Sequence, residues 1–273
     1  DPLGWPPVAV QPSRARRLPG IPDDWTIWAF TDVHGVASGL EPALREAGLV
    51  DDALRWVAPP RTALVGCGDY VDRGLESRRV VQLLRRLEGE ATTAGGAVEL
   101  TRGNHEHLLL QLAAGESDDF ETWLFYGGRA TLSAWGLKGL DPADRRTLLE
   151  LERSTPGVLA WFAALSHGIR WRDVLFVHGG LPPWAGLDDL GITTDLHLYV
   201  RAEFFDATWE SGEFARFEAE GVRRVVFGHT PQPDGPRLFH GGRSIALDSN
   251  ACGNPHMAAG ARRMVTLLEL RGD

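Results

Sequence analysis

Apolar and polar positions follow a repeated order along the first third of the chain: a short apolar run, a glycine-containing polar loop, then a stretch with helical periodicity. Residues 27–30 read as a buried strand that ends in Thr31-Asp32-Val33-His34-Gly35. The helix predicted at 38–49 puts Leu40, Leu44 and Ala47 on one face. A second apolar strand at 62–67 ends in Gly68-Asp69, and Val80, Val81, Leu84 and Leu87 mark an amphipathic helix through the basic stretch 78–86. A third strand, 97–101, runs into Arg102-Gly103-Asn104-His105-Glu106. Each unit places polar residues just past a strand, at the edge where open α/β sheets hold their ligands.

Residues 118–165 read as helix-rich, with Trp123, Phe125, Trp135, Leu148, Leu151 and Trp161 as packing residues. Strand patterns then return. A hairpin of 169–172 and 174–177 around Asp173 delivers His178-Gly179-Gly180, and 222–227 delivers Gly228-His229-Thr230. Short strands at 238–240, 244–247 and 264–270 follow. The fold class is α/β, with a two-sheet β-sandwich core flanked by helices. Residues 1–24 hold six prolines with Arg14, Arg16 and Arg17, which predicts an extended arm with little regular structure. Residues 25–273 are expected to form one catalytic domain.

Composition narrows the function more than the fold. A net charge of −9 over 273 residues speaks against a general nucleic-acid binder. A phosphorylated substrate stays open, because bound divalent cations would supply the missing positive charge. No stretch is long and apolar enough to span a membrane. The two cysteines, Cys67 and Cys252, are far apart and fit reduced thiols in a cytoplasmic protein better than a disulfide framework. Cys67 reads as a buried small hydrophobe within a strand.

Five loops carry the candidate chemistry: Asp32 and His34; Asp69, Asp72 and Arg73; Asn104 and His105; His178; His229. Singly, each has an ordinary reading. Asp32 and Asn104 can cap helices, and a lone histidine is more often a core or loop residue than a ligand. Together, in this order and each after a strand, they form a mixed set of carboxylates, imidazoles and one amide. Such a set suits Mn²⁺, Fe or Zn²⁺ rather than a thiolate zinc site. Two ions held close together also require one carboxylate to bridge them.

Asp32-Val33-His34-Gly35, Gly68-Asp69-Tyr70-Val71-Asp72-Arg73-Gly74, Gly103-Asn104-His105-Glu106, His178-Gly179-Gly180 and Gly228-His229-Thr230 resemble the signature series of the phosphoprotein phosphatase family of metallophosphoesterases. The tail Asn250-Ala251-Cys252-Gly253 with Ala259-Gly260-Ala261 resembles the family's C-terminal segment. The likeness is greater to the bacterial Shewanella-like and lambda-phage-type branches than to eukaryotic members. It implies two divalent ions, Mn²⁺ foremost and Fe or Zn²⁺ as alternatives. Asp32, His34 and Asp69 would hold one ion, and Asp69 would bridge to a second held by Asn104, His178 and His229. Arg73 would grip phosphate oxygens, and His105, braced by Asp72, would protonate the leaving oxygen. Arg201, in Leu198-Tyr199-Val200-Arg201-Ala202-Glu203, resembles a second phosphate-binding arginine of phage-type members; its other reading is an exposed helix arginine.

Two departures matter. Thr31 stands where the family has Gly before the first Asp, and Ala251 stands where eukaryotic members carry Tyr. The implied activity is hydrolysis of phosphoserine, phosphothreonine or small phosphate monoesters by attack of a metal-bridging hydroxide, without a phosphoenzyme. The implied partner is a phosphorylated protein or small phosphate ester. The alternative is a dinucleoside polyphosphate hydrolase, whose third motif more often ends in Asp where this chain has Glu106.

Overall fold

The computed structural model describes residues 18–191, 194–253 and 263–272. In chain order the first half contains β1 (Gly20–Ile21), β2 (Thr26–Phe30), α1 (Ala37–Glu46), β3 (Thr62–Gly66), α2 (Ser77–Thr93), β4 (Ala97–Leu100) and α3 (Asn104–Ala114). The helical middle contains α4 (Phe120–Trp123), a π turn (Leu124–Gly128), α5 (Arg129–Ala134), α6 (Arg145–Ser154) and α7 (Val158–Ala164). The second half contains β5 (Ile169–Trp171), β6 (Val174–Phe176), α8 (Ala202–Asp206), α9 (Ala215–Ala219), β7 (Arg224–Phe227), β8 (Arg237–Phe239), β9 (Ser244–Ala246) and β10 (Leu268–Leu270).

These strands form two sheets. One has the order β10-β2-β3-β4, with β2, β3 and β4 parallel and β10 antiparallel on β2. The other has the order β1-β5-β6-β7-β9-β8, with β6, β7 and β9 parallel. Parallel strands release their following loops at one edge, so three loops leave each sheet on the same side.

Alternation along the strands sets the layers. Ile27, Ala29, Ala63, Val65 and Cys67 pack against Ile169, Trp171, Val174, Phe176 and Val226, which makes the sandwich interior. The opposite faces carry helices: Phe30 and Leu64 join the cluster under α1 and α2, while Leu175, Val225 and Phe227 join Phe204, Phe214 and Phe217. Helix α2 buries Val80, Val81, Leu84, Leu87 and Ala91, a stripe of the spacing that drives an amphipathic helix onto a sheet. Burying each large side chain contributes about 1.5–3 kcal/mol, which offsets the entropy of ordering it. The two-sheet α/β architecture expected from the pattern is the one observed.

Four details differ from expectation. The amphipathic helix read at 78–86 extends over Ser77–Thr93, and the last strand is confined to Leu268–Leu270. Within the proline-rich arm, Gly20–Ile21 pairs with β5 as a sheet edge rather than remaining irregular. Phe125, expected in the core, is 79% exposed. It lies in the turn at 124–128, which Gly127 breaks with a non-helical backbone. Gly127 in that turn has φ 113° and accepts a bond from the Arg73 backbone N–H at 3.2 Å. Docking the turn on the Arg73 loop leaves Phe125 on the outside. Residues 1–17 of the arm and the Ala259-Gly260-Ala261 tail motif lie outside the described residues.

Candidate metal centre

The loops after β2, β3, β4, β6 and β7 converge, and they bring every metal-ligand candidate read in the sequence to one place. Asp69, after β3, is the meeting point. Its Oδ2 lies 3.4 Å from Nε2 of His34 and 3.4 Å from Nε2 of His178. Asp32 Oδ1 stands 3.8 Å from His34 Nε2, and the Asn104 side-chain oxygen is 2.9 Å from His178 Nε2. Two groups of side chains could each hold a cation, His34 with Asp69 and His105, and Asp69 with His178 and His229. Asp69 belongs to both.

Backbone geometry explains the convergence. Eleven non-glycine residues among those described have positive φ, and Asp32, His34, Asp69, Asp72, Arg73 and His229 are six of them. Left-handed backbone is uncommon outside glycine, though Asp and His tolerate it better than most. Its concentration here turns successive side chains inward from short loops. Two glycines permit the close approach: a Cβ on Gly103 would lie 2.1 Å from Asp69 Oδ1, and one on Gly228 would lie 2.0 Å from Asp32 Oδ2.

Each ligand is fixed from behind. His34 Nδ1 is 3.0 Å from the Val71 carbonyl, and His178 Nδ1 is 2.8 Å from the Cys67 carbonyl, which directs both Nε2 atoms toward Asp69. Asp32 accepts from the His229 backbone N–H at 2.9 Å and from the Thr31 hydroxyl. Thr31, where the family has glycine, thus braces a candidate ligand.

Electrostatics separates the imidazoles. Burial, reinforced by Arg73, holds His34 well below the ordinary histidine range, and burial with the nearby His178 does the same to His229. Both are neutral and able to donate lone pairs to a metal. Burial opposes protonation of His178, but the Asp69 carboxylate outweighs it and raises the imidazole to about 9. Burial likewise opposes ionisation of Asp69, yet His178 and His105 hold it well below the carboxylate range. A cation at Asp69 would replace the positive charge that a proton on His178 supplies. The donor set, its burial and its spacing therefore fit two divalent ions.

His105 and Arg73 complete the arrangement. His105 Nδ1 lies 2.8 Å from Asp72 Oδ2, and Asp72 is held by the Thr131 hydroxyl at 2.6 Å and the Trp123 indole N–H at 3.1 Å. Burial works against a proton on His105, but Asp69 and Asp72 more than offset it, so its value is raised. Arg73 places Nη1 2.8 Å from His34 Nε2 and Nη2 3.1 Å from His105 Nε2. A guanidinium and a cation cannot share that lone pair of His34, so a bound ion would displace Arg73 from it and free its fork for another partner. Arg201 is exposed at the start of α8 and within electrostatic range of His229.

Three nearby residues escaped the sequence reading. Glu106 is fully buried and accepts from the backbone N–H groups of Gly103 and Asp69 at 3.0 Å, Tyr70 at 2.8 Å and Val71 at 3.2 Å. Burial and the Asp69 charge still push it up to about 7. Its position three residues after Gly103 is a capping-box spacing, and that was the available signal. Asp248, 2% exposed, feels the charges of Asp32 and Arg73; it follows β9 as the other candidates follow their strands. Tyr126 stacks edge-on to His105 at 6.3 Å beside the exposed Phe125. Cys252 hydrogen-bonds with Arg73, and Cys67 is buried in the sandwich with its thiol pushed upward by burial.

The profile of the calcineurin-like phosphoesterase family matches residues 26–250. Shewanella-like protein phosphatase 2 of Arabidopsis thaliana is 38% identical over 83 residues, 30% of this chain and 21% of that protein. The chain thus spans about a fifth of that relative. The solved cold-active protein-tyrosine phosphatase of a psychrophilic Shewanella species superposes with a TM-score of 0.64 at 23% identity, covering 91% of this chain and 76% of that one. A putative diadenosine tetraphosphatase superposes with a TM-score of 0.51 at 23% identity, covering 93% and 97%. Among the described residues no helix is long and apolar enough to cross a membrane.

Proposed function

The chain belongs to the calcineurin-like phosphoesterase family, and on that premise we propose that this phosphatase hydrolyses phosphate monoesters at a centre of two divalent ions bridged by Asp69. The observation that carries the reading is Asp69 itself, a carboxylate common to both groups that could hold a cation, one with His34 and His105 and the other with His178 and His229. Asp32 and His34 would complete one side, and Asn104, His178 and His229 the other. Mn²⁺ suits this donor set, as do Fe and Zn²⁺. The ions, when bound, would neutralise phosphate charge and lower the pKa of a water so that it can attack.

The chain's own residues do the rest. Arg73 presents two N–H donors in a planar fork, the geometry that fits two phosphate oxygens. His105, held in orientation by Asp72 at Nδ1, would carry its proton at Nε2 once Arg73 Nη2, 3.1 Å away, turns to the phosphate, and would deliver it to the departing oxygen. Arg201 gives a second positive contact at the rim. No side-chain nucleophile is needed, so no covalent phosphoenzyme forms.

Phosphoserine, phosphothreonine and small aryl phosphates are the substrates this arrangement takes. A second reading, phosphotyrosine, is favoured by one feature: Tyr126, 48% exposed, stands edge-on to His105, where the leaving group must exit, and the 79% exposed Phe125 packs on Tyr126. An aromatic leaving group can stack there, worth about 0.5–1.5 kcal/mol. The neighbour named as a tyrosine phosphatase agrees with that reading. The dinucleoside polyphosphate alternative lacks such a feature in its favour.

The test is phosphate release by Mn²⁺-loaded protein from para-nitrophenyl phosphate, phosphotyrosine and phosphothreonine peptides, and diadenosine tetraphosphate in parallel. Turnover of the monoesters is expected. Strong preference for the dinucleotide would overturn the monoesterase reading.

A further inference from the structure

Three of the nine histidines gather in a second cluster, outside the centre described above. His167 Nδ1 lies 3.1 Å from His197 Nε2, and with Asp195 they offer three ligand atoms all within 4.8 Å of one another. His107 Nε2 approaches Asp195 Oδ2 at 3.7 Å. None of these residues belongs to either group that contains Asp69.

The ordinary reading is a hydrogen bond between two buried neutral imidazoles. It leaves two observations over. His197 is fully buried, and the Thr194 carbonyl on its Nδ1 side favours a proton there, which leaves the Nε2 lone pair facing His167. The Asp195 carboxylate is also drawn to the same point, and a third imidazole, His107, approaches that carboxylate. Two imidazole nitrogens on one tetrahedral zinc, each at about 2.0–2.1 Å, stand roughly 3.3 Å apart, close to the observed 3.1 Å. Three imidazoles and one carboxylate also match the ligand types zinc prefers. The competing cation is Arg102, which interacts electrostatically with Asp195 but commits Nη2 to the Ala163 carbonyl at 2.7 Å.

We propose that His167, Asp195 and His197, with His107 as fourth ligand, form a mononuclear Zn²⁺ site separate from the Asp69 centre. Its position gives it a structural purpose. His107 sits on α3 two residues after His105, and His167 precedes β5. Asp195 and His197 open the segment that leads to Tyr199 and Arg201. The His197 carbonyl accepts from the Gly179 N–H at 2.8 Å, next to His178. An ion here staples α3, the approach to β5 and the 195–201 segment, and so sets where Arg201 stands at the cleft.

The test is a metal count on the full chain, stripped with chelator, reloaded with Zn²⁺ and desalted. Wild type is expected to retain three ions, and His167→Gln and Asp195→Ala two each, with unchanged circular dichroism. Asp195 is 46% exposed at its side chain, so its variant remains usable should His167→Gln fail to fold. The decisive arm is Asp69→Asn, which removes the shared carboxylate of the other centre. It should keep one ion, and its Co²⁺-substituted form should show the intense visible bands of four-coordination. Loss of all metal from Asp69→Asn, or a wild-type count that neither His167→Gln nor Asp195→Ala lowers, would overturn the site. Phosphate release plays no part in this readout, so the outcome stands apart from the proposed activity.

Discussion

The two sheets contribute to the candidate centre in different ways. Loops from the four-stranded sheet carry Asp32, His34, Asp69, Asp72, Arg73, Asn104 and His105, and they are bound to one another. Glu106 alone ties four backbone N–H groups of the β3 and β4 loops. Loops from the six-stranded sheet bring His178 and His229, and these are positioned by the first sheet, through the Cys67 carbonyl and the Asp32 carboxylate. One sheet supplies a frame, and the other lends it two imidazoles. Damage to the frame should therefore be global, and damage to a lent ligand local.

The largest expected effect comes from Asp69→Asn. It should empty both ions of the dinuclear centre and lower kcat by at least about 10³-fold, since charge stabilisation of several kcal/mol is lost. Metal counting checks this, and retention of one ion at that centre would mean that each sheet binds independently. His229→Ala should retain one ion where Asp69→Asn retains neither. His105→Asn comes next, with kcat reduced about 10²–10⁴-fold on alkyl phosphates and less on para-nitrophenyl phosphate, which needs little protonation. Its metal content should match wild type; a lower content would make His105 a ligand. Glu106→Gln should cost about 10–100-fold, the range for residues that orient ligands, with weaker metal retention in dialysis. Arg201→Ala should be mildest, raising KM about fivefold or less, as expected for an exposed charge contact.

The frame was the more legible half of the molecule. Its residues follow parallel strands in unbroken motifs, so a local pattern of apolar run, glycine and carboxylate carries both the fold and the chemistry. His178 and His229 were readable for the same reason, each behind an apolar strand. Glu106 stood in plain view within its motif, but its work is done on a loop some 35 residues away in sequence, from Asp69 to Val71. Asp248 obeys the strand-then-polar rule, yet β9 is three residues long and its signal is weak. Phe125 was misplaced because its turn docks on the Arg73 loop through Gly127, a contact that no local pattern announces. The cluster of His107, His167 and His197 leaves no local pattern, since its members meet only through tertiary packing.

The left-handed backbone at Asp32, His34, Asp69, Asp72, Arg73 and His229 sets two kinds of selection against each other. Each such residue costs about 1–3 kcal/mol that glycine would relieve, and glycine at any of them would erase a candidate ligand, brace or phosphate contact. A library screened for heat resistance alone should therefore drift toward glycine at these positions and toward inactivity. Screening for turnover should hold the six in place and gather its stabilising changes elsewhere, in the helices that cover the sheets.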